Sequence, residues 1–452
     1  MADLKELARS IFDQVLADCS IERSFGRIMH IAAGAQGARL VLGADDVVAL
    51  DRLKQVRILS IGKAAAPMLH ALLSRLPLPP SCDLQGVLIA PGERPPNLPA
   101  TIQFFAGGHP YPNAASFAGA SAALSMLNAL SSDSPDGALC VFLISGGASA
   151  MMELPLDRAI SLDDTVAFHR SLVAAGATIV EMNCVRKHFS AVKGGRLAIA
   201  AGGAEKISLL VSDVPPLHLD ALASGPTIPD PTTVAQCREI LARYGLLEQF
   251  PASVRRFFAS PDLPETPKPG QVVSPNWKVL DSEELANSAL HRAARLGFHA
   301  VIDNTCDDWT YAAAAEHLLD RVRQLRRNHP RVCLISTGEV SVKLPASLSS
   351  TARGGRNQQL ALYLATRLRP SDTPIAVLSA GSDGIDGNSA AAGAIIDDRT
   401  LDQASLRAQA QHALDTFDSS TLLNTLGATV VTGPTGHNLR DLRILLADRA
   451  SR

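Results

Sequence analysis

The chain has 452 residues, 46% of them apolar and 19% charged, with a formal net charge of −2. That is room for two or three domains of roughly 100–200 residues, and too apolar a composition for a disordered chain. With no long single-sign run and only 4% aromatic residues, it offers neither a basic surface nor stacking platforms for nucleic acid.

The opening stretch, MADLKELARSIFDQVL, alternates charged and apolar residues and predicts an amphipathic helix. It lacks the unbroken apolar stretch of a signal peptide, and no run approaches the ~20 residues of a membrane span. Seven scattered cysteines without a Cys-x-x-Cys pair indicate neither a disulfide framework nor a zinc knuckle. A soluble cytoplasmic protein without a membrane partner is the expectation.

Short apolar runs then recur: VRILSIGK (56–63), GVLIAPG (86–92), LCVFLISGG (139–147), ISLLVSD (207–213), RVCLISTGE (331–339) and IAVLSAGSDG (375–384). Between many of them lie Ala/Leu-rich stretches with helical spacing, such as 113–130 and 285–298. Strands apolar on both faces, alternating with helices, predict an α/β fold with a mainly parallel sheet. The Pro-rich stretch 259–275 marks a boundary, giving domains 1–270 and 271–452, and the polar stretch 345–357 reads as a loop.

Ligands of open α/β sheets bind beyond the carboxyl ends of strands, and this chain's unusual residues lie there. SGGASA (145–150) is either a tight strand-to-helix turn or an anion cradle, with Gly146 and Gly147 admitting an anion to the backbone and Ser145 and Ser149 adding hydroxyls. Lys63 follows a strand, where it is either a solvated surface lysine or a phosphate partner. Arg186, Lys187, His188, Lys193 and Arg196 cluster around Gly194–Gly195, as a solvated helix face or an anion site. Asp383 and Asp386 on a glycine-rich turn form either an Asx-type turn or a pair for a hard cation such as Mg²⁺. Arg353 and Arg356 precede a helix and could fork a carboxylate or phosphate, and TGPTGHN (432–438), with Thr435, is another anion-type turn.

The absences narrow the choice. No two glycines are spaced i, i+2, so there is no dinucleotide fingerprint, and neither a P-loop, a G-x-S-x-G elbow nor an H-E-x-x-H motif occurs. Anion-friendly turns, basic clusters and strand-end aspartates remain, a set suited to phosphoryl transfer.

In order, the chain carries IGKAA, GGHPYPN, SGGASAMMELP, NCVRKHFSAVKGGRLA, SDV…ASGPTIPD, TGE, GGRNQQLAL, SDGIDGNSAAAGAIID and TGPTGHNLRDL. This series, from about residue 60 to 442, resembles the glycerate 2-kinase family, whose C-terminal portion is called the MOFRL domain. The resemblance implies a kinase using ATP and Mg²⁺ to phosphorylate D-glycerate, or a related small 2-hydroxy acid, at the 2-hydroxyl. It also implies a larger Rossmann-like domain and a smaller MOFRL-type one, whose last segment could pack back on the first, with the active site between them. By position it suggests Lys63, Asp213 and Arg353 as catalytic, and Ser145, Gly146, Gly147, Ser149, Lys193 and Thr435 as phosphate- or nucleotide-binding. His109, Arg186 and Arg356 would bind substrate, and Asp213, Asp383 and Asp386 the metal.

Members of this family often carry the label hydroxypyruvate reductase, so a nicotinamide-dependent reductase is one alternative and a non-catalytic nucleotide or sugar-acid sensor another. An oligomer of identical chains is left open. The chain departs from the family at SDVPPLHLD (212–220), where Pro216 and Leu217 replace the usual Gly-Asp. Proline fixes φ near −65° and donates no hydrogen bond, so a glycine turn cannot be kept there. If the lost acid bound metal or substrate, His218 or Asp220 would have to replace it.

Overall fold

The structure is a computed structural model and describes residues 3–34, 37–130, 137–214, 216–344 and 348–448. The chain divides into two compact units, Ile21–Val279 and a discontinuous one made of Met1–Ser20 and Leu280–Arg452. The division lies at 279/280 rather than 270/271, and the first helix belongs with the C-terminal unit. The stretch 260–275 carries no helix or strand.

In the first unit, an antiparallel meander of β1 (Met29–Gly34), β2 (Gly37–Leu42) and β3 (Asp45–Ala49) precedes the main sheet. The meander precedes the first of the apolar runs that mark the main sheet. The main sheet contains β4 (Gln55–Ile61), β5 (Asp83–Ala90), β6 (Ile102–Ala106), β7 (Ala138–Ser145), β8 (Glu205–Val211) and β9 (Asn276–Leu280), in the order β6-β5-β4-β7-β8-β9. The pairings β4–β5, β5–β6, β4–β7 and β7–β8 are all parallel. β7 is buried along its whole length, as a parallel strand covered on both faces must be. The helix Ala114–Asn128 starts at a capping box in which Asn113 accepts from the Ser116 amide at 2.8 Å. Its Ala120, Ala123 and Leu127 pack with Val87, Ile89 and Phe142 of the sheet. A satellite core joins the helices Leu162–Ala174, Ile179–Phe189 and Ala252–Ala259 through Phe168, Phe189 and Phe258, with Phe168 and Phe189 stacked at 4.2 Å.

The second unit holds β10 (His299–Ile302), β11 (Val332–Gly338), β12 (Ile375–Gly381), β13 (Gly393–Asp397), β14 (Thr429–Val430) and β15 (Asp441–Ala447), in the order β10-β11-β15-β12-β13-β14. Only β10–β11 is parallel; the other pairings are antiparallel, so this sheet is mixed. β11, β12 and β15 are nonetheless buried at every residue. Unbroken apolar runs therefore report burial on both faces, not strand direction. The final strand, β15, lies in the middle of its own unit's sheet, between β11 and β12. Among the described residues no helix is long and apolar enough to cross a membrane, and all seven cysteines are free thiols.

Candidate active site

β4 and β7 are neighbours, while the chain continues outward to β5 and β6 on one side and to β8 and β9 on the other. Such a reversal opens a crevice beyond the carboxyl ends of the two central strands, where the flanking loops part. Gly62 and Lys63 follow β4, Gly146 and Gly147 follow β7, His109 comes shortly after β6, and Asp213 lies just beyond β8. The topology therefore gathers four separate motifs at one edge.

Hydrogen bonds fasten the two central strand ends together. The Lys63 amide donates to the Gly146 carbonyl at 2.9 Å, and the Ala64 amide donates to the Ser145 hydroxyl at 3.1 Å. Ser145 itself is buried and donates to the Ile61 carbonyl, so its hydroxyl holds the turn instead of facing a phosphate. Glycine is required on the β7 side for two reasons. A Cβ on Gly146 would collide with the Asp213 carboxylate, and Gly147 has φ +81° with the Lys63 stem and the His109 ring packed against it. Lys63, His109 and Asp213 thus converge on the Gly146–Gly147 backbone. Lys63 and His109 are exposed and Asp213 is half-buried. Partial burial, then the positive charge of Lys63, hold the His109 imidazole below its ordinary pKa, so it is neutral near pH 7.

Behind this edge lie two polar networks. Ser149 bonds Ser224 at 2.9 Å, and the Ser224 hydroxyl donates to Asn183 at 2.9 Å. The other network corrects an expectation. Lys193, read as a phosphate ligand, is 1% exposed and bonds Glu153 at 2.6 Å and the Met152 carbonyl at 3.3 Å. Glu153 is fully buried and also bonds His169 at 2.9 Å. Burial pushes the Glu153 carboxyl up, but Lys193 and His169 more than offset it and bring it to about 2. An ion pair so enclosed positions the chain and has no exposed charge left for a nucleotide. Arg186, half-buried on the adjoining helix, keeps a buried Nε without a hydrogen-bond partner, which suits an anion-binding role better than Lys193. Lys187 is engaged by Asp220 at 2.8 Å and Asp230 at 3.4 Å, so Asp220 serves as a structural partner, while His218 is exposed.

The second unit has a cavity of about 540 Å³, lined among others by Glu339, Arg356, Asp383, Asn388 and Phe417. Arg356 forks Asp441 at 2.6 and 3.0 Å and reaches Glu339 at 2.8 Å. Its guanidinium is thus already neutralised by protein carboxylates. Arg353 is exposed and donates to the carbonyls of Ser350 and Ala352, both at 3.0 Å. The Thr435 hydroxyl is bound to the Ser382 and His437 carbonyls, and its amide donates to the Asp383 carbonyl, so it braces the Asp383 loop.

The two aspartates of that loop differ. Asp386 is buried and accepts from the Asn357 and Gln358 amides at 3.0 and 2.8 Å, at the first turn of the helix Arg356–Arg367. Both its oxygens cap that helix, so Asp386 is not placed as a metal ligand. Burial pushes its carboxyl up, to about 7, against the pull of those amides. Asp383 is half-buried, and its Oδ1 accepts from the Ile385 amide at 3.1 Å in an Asx-type turn. Sequence reasoning missed Glu153, Asp441 and the cap made by Asp386. A lone acid within the apolar run MMELP could have signalled Glu153, but nothing local marks Asp441 as a partner of Arg356.

A domain of unknown function (DUF4147) matches residues 7–259 and the MOFRL family matches residues 332–441. A glycerate 2-kinase of Pyrococcus horikoshii is 33% identical over 87% of this chain and 87% of its own. A relative from Agrobacterium vitis, 32% identical over 98% of this chain and 94% of its own, carries the provisional name hydroxypyruvate reductase. The crystal structure of a Thermotoga maritima glycerate kinase superimposes with a TM-score of 0.81 at 30% identity, covering 98% of this chain and 99% of that one. The order of its motifs, the reversal between β4 and β7 and the matches to both domains place this chain in the glycerate 2-kinase family.

Proposed function

We infer that this protein is a kinase that transfers the γ-phosphoryl group of ATP to the 2-hydroxyl of D-glycerate, giving 2-phosphoglycerate and ADP. The observation that carries this reading is the convergence of Lys63, His109 and Asp213 on the Gly146–Gly147 backbone at the strand reversal, in a chain of this family. Asp213 takes the proton of the 2-hydroxyl as its oxygen bonds to phosphorus and the bond to the ADP oxygen breaks. Lys63 neutralises charge on the transferred group, the Gly146–Gly147 backbone lies close to it, and neutral His109 hydrogen-bonds the acceptor. Arg186 is the candidate partner for the substrate carboxylate.

Mg²⁺ enters as part of the nucleotide substrate and screens its phosphates. Of the three aspartates expected to hold it, Asp386 does not fit, because both its oxygens cap a helix. At the strand-end site Asp213 supplies a hard-oxygen donor, whereas Asp383, in the second unit, accepts from the Ile385 amide. A cytoplasmic location belongs to the same proposal, supported by seven free thiols.

The test is incubation with ATP, Mg²⁺ and D-glycerate, with ³¹P NMR separating the 2- and 3-phosphoglycerates. Formation of 2-phosphoglycerate that disappears in Lys63→Ala supports the reading. Oxidation of a reduced nicotinamide by hydroxypyruvate without ATP would replace it with a reductase. A melting temperature raised by ATP, with no product from any 2-hydroxy acid, would replace it with a sensor.

A further inference from the structure

Apart from the strand-end site, the first unit encloses two thiols and an imidazole. Cys184 and His188 lie one turn apart on the helix Ile179–Phe189, and Cys237 on the helix Val234–Arg243 faces them. Their donor atoms all lie within 4.8 Å of one another, and the residues are 2%, 0% and 0% exposed. We propose that Cys184, His188 and Cys237 form a binding site for a thiophilic cation of the Zn²⁺ type, a structural metal centre pinning these two helices together.

The imidazole supplies a separate observation. A carbonyl can only accept, so His188 Nδ1–H donates to the Cys184 carbonyl at 2.9 Å. That bond leaves the neutral ring with its lone pair on Nε2, the arrangement of a metal-ligating histidine held by a backbone carbonyl. Nε2 is buried and has no hydrogen-bond partner. An imidazole nitrogen left unpaired in the interior costs stability unless something occupies it. The nearest acid, Glu265, has its Oε2 at 3.6 Å, an ion-pair distance for a protonated ring but too long for a hydrogen bond, and it is also paired with Lys268.

Donor chemistry and spacing select the ion. A tetrahedral Zn²⁺ with bonds of about 2.3 Å to sulfur sets those sulfurs roughly 3.8 Å apart, inside the observed spread. Two thiolates and an imidazole favour Zn²⁺ over Mg²⁺, which demands oxygen ligands. Binding displaces the thiol protons to solvent, and the fourth position falls to water or to Glu265 at the half-exposed rim. Residues 184 and 188 show only the i, i+4 spacing, and the third ligand is 49 residues further on, so no local motif signals the site.

The site is tested on the full-length protein, made with Zn²⁺ supplied and purified without chelator. Elemental analysis should find close to one zinc per chain. Exchange into Co²⁺ should give thiolate-to-cobalt absorption in the near ultraviolet and intense visible bands of a tetrahedral ion. Both signals should fall at least tenfold in Cys237→Ser, and Zn²⁺ should raise the melting temperature of the unsubstituted protein by several degrees but not that of the variant. If the variant fails to fold, the cobalt spectrum of the unsubstituted protein decides. Less than a tenth of an equivalent of zinc with no cobalt bands would overturn the proposal. So would an intact mass two hydrogens low that maps to a Cys184–Cys237 disulfide. None of these readouts depends on kinase activity, so the proposal stands or falls apart from that function.

Discussion

Lys63 is exposed, with its stem lying over Gly147, so its chemistry is separable from folding. Lys63→Ala should lower kcat by about 10²–10³-fold, the usual loss of one charge-stabilising donor, with Tm unchanged within error. Steady-state kinetics beside a thermal melt would check it, and a matched fall in both would mean that the lysine is structural. Gly146→Ala makes the reciprocal point. Its methyl group must displace the Asp213 carboxylate, so activity should be lost while the buried Ser145 bonds persist. Glu153 supplies a pH prediction. Its carboxyl lies at about 2 in the fold against an ordinary 4.5, so its contribution is fully present above pH 4.5 and is lost as pH falls towards 2. That contribution is on the order of 3 kcal/mol. Urea unfolding at pH 6 and pH 3 should show this slope, flattened in Glu153→Gln, which also leaves Lys193 buried without a counter-charge. These roles were unevenly legible. Lys63 and Asp213 stand at strand ends, where sequence alone points to ligands. Lys193 stood in an equally promising basic run, yet burial beside Glu153 gave it a structural task.

At the scale of elements, the helix Arg356–Arg367 begins on a carboxylate from the loop after β12. Asp386→Ala strips two amides of their acceptor and should cost about 1–2 kcal/mol, the value of a lost N-cap. Hydrogen exchange should quicken at Asn357 and Gln358, and kcat at saturating Mg²⁺ should fall less than tenfold. A far greater loss of activity at limiting Mg²⁺, reversed by excess Mg²⁺, would restore Asp386 as a metal ligand. The segment Pro216–Ser224 shows the same reassignment. The residues named as replacements for the missing acid have other placements, with Asp220 on Lys187 and His218 in solvent. Ala223 and Ser224 adopt positive φ there, and the Ser224 hydroxyl bonds Asn183 and Ser149. The glycine lost at 216 is thus not the only place where this loop can turn.

At the scale of the whole molecule, the helix Leu4–Asp18 joins a unit that otherwise begins at residue 280. It buries Ala8, Ile11, Phe12 and Val15, packs near β12 and β15, and its end is pinned by Asp18 to Arg292. Phe12→Ala should cost about 3–5 kcal/mol. The loss should appear as faster hydrogen exchange in β12 and β15, with β4 and β7 unaffected; the reverse pattern would contradict this division of the chain. The sequence by itself determined the α/β class, the strand-to-turn pattern and the family, because apolar runs and glycine turns are local and are read directly in chain order. Only the tertiary structure decided that the second sheet is mixed, that the first helix belongs with the last strands, and which charges are spent within the fold. Strand direction, packing partners and ion pairing join residues far apart in sequence, and burial on both faces leaves the same apolar run whichever way a strand points.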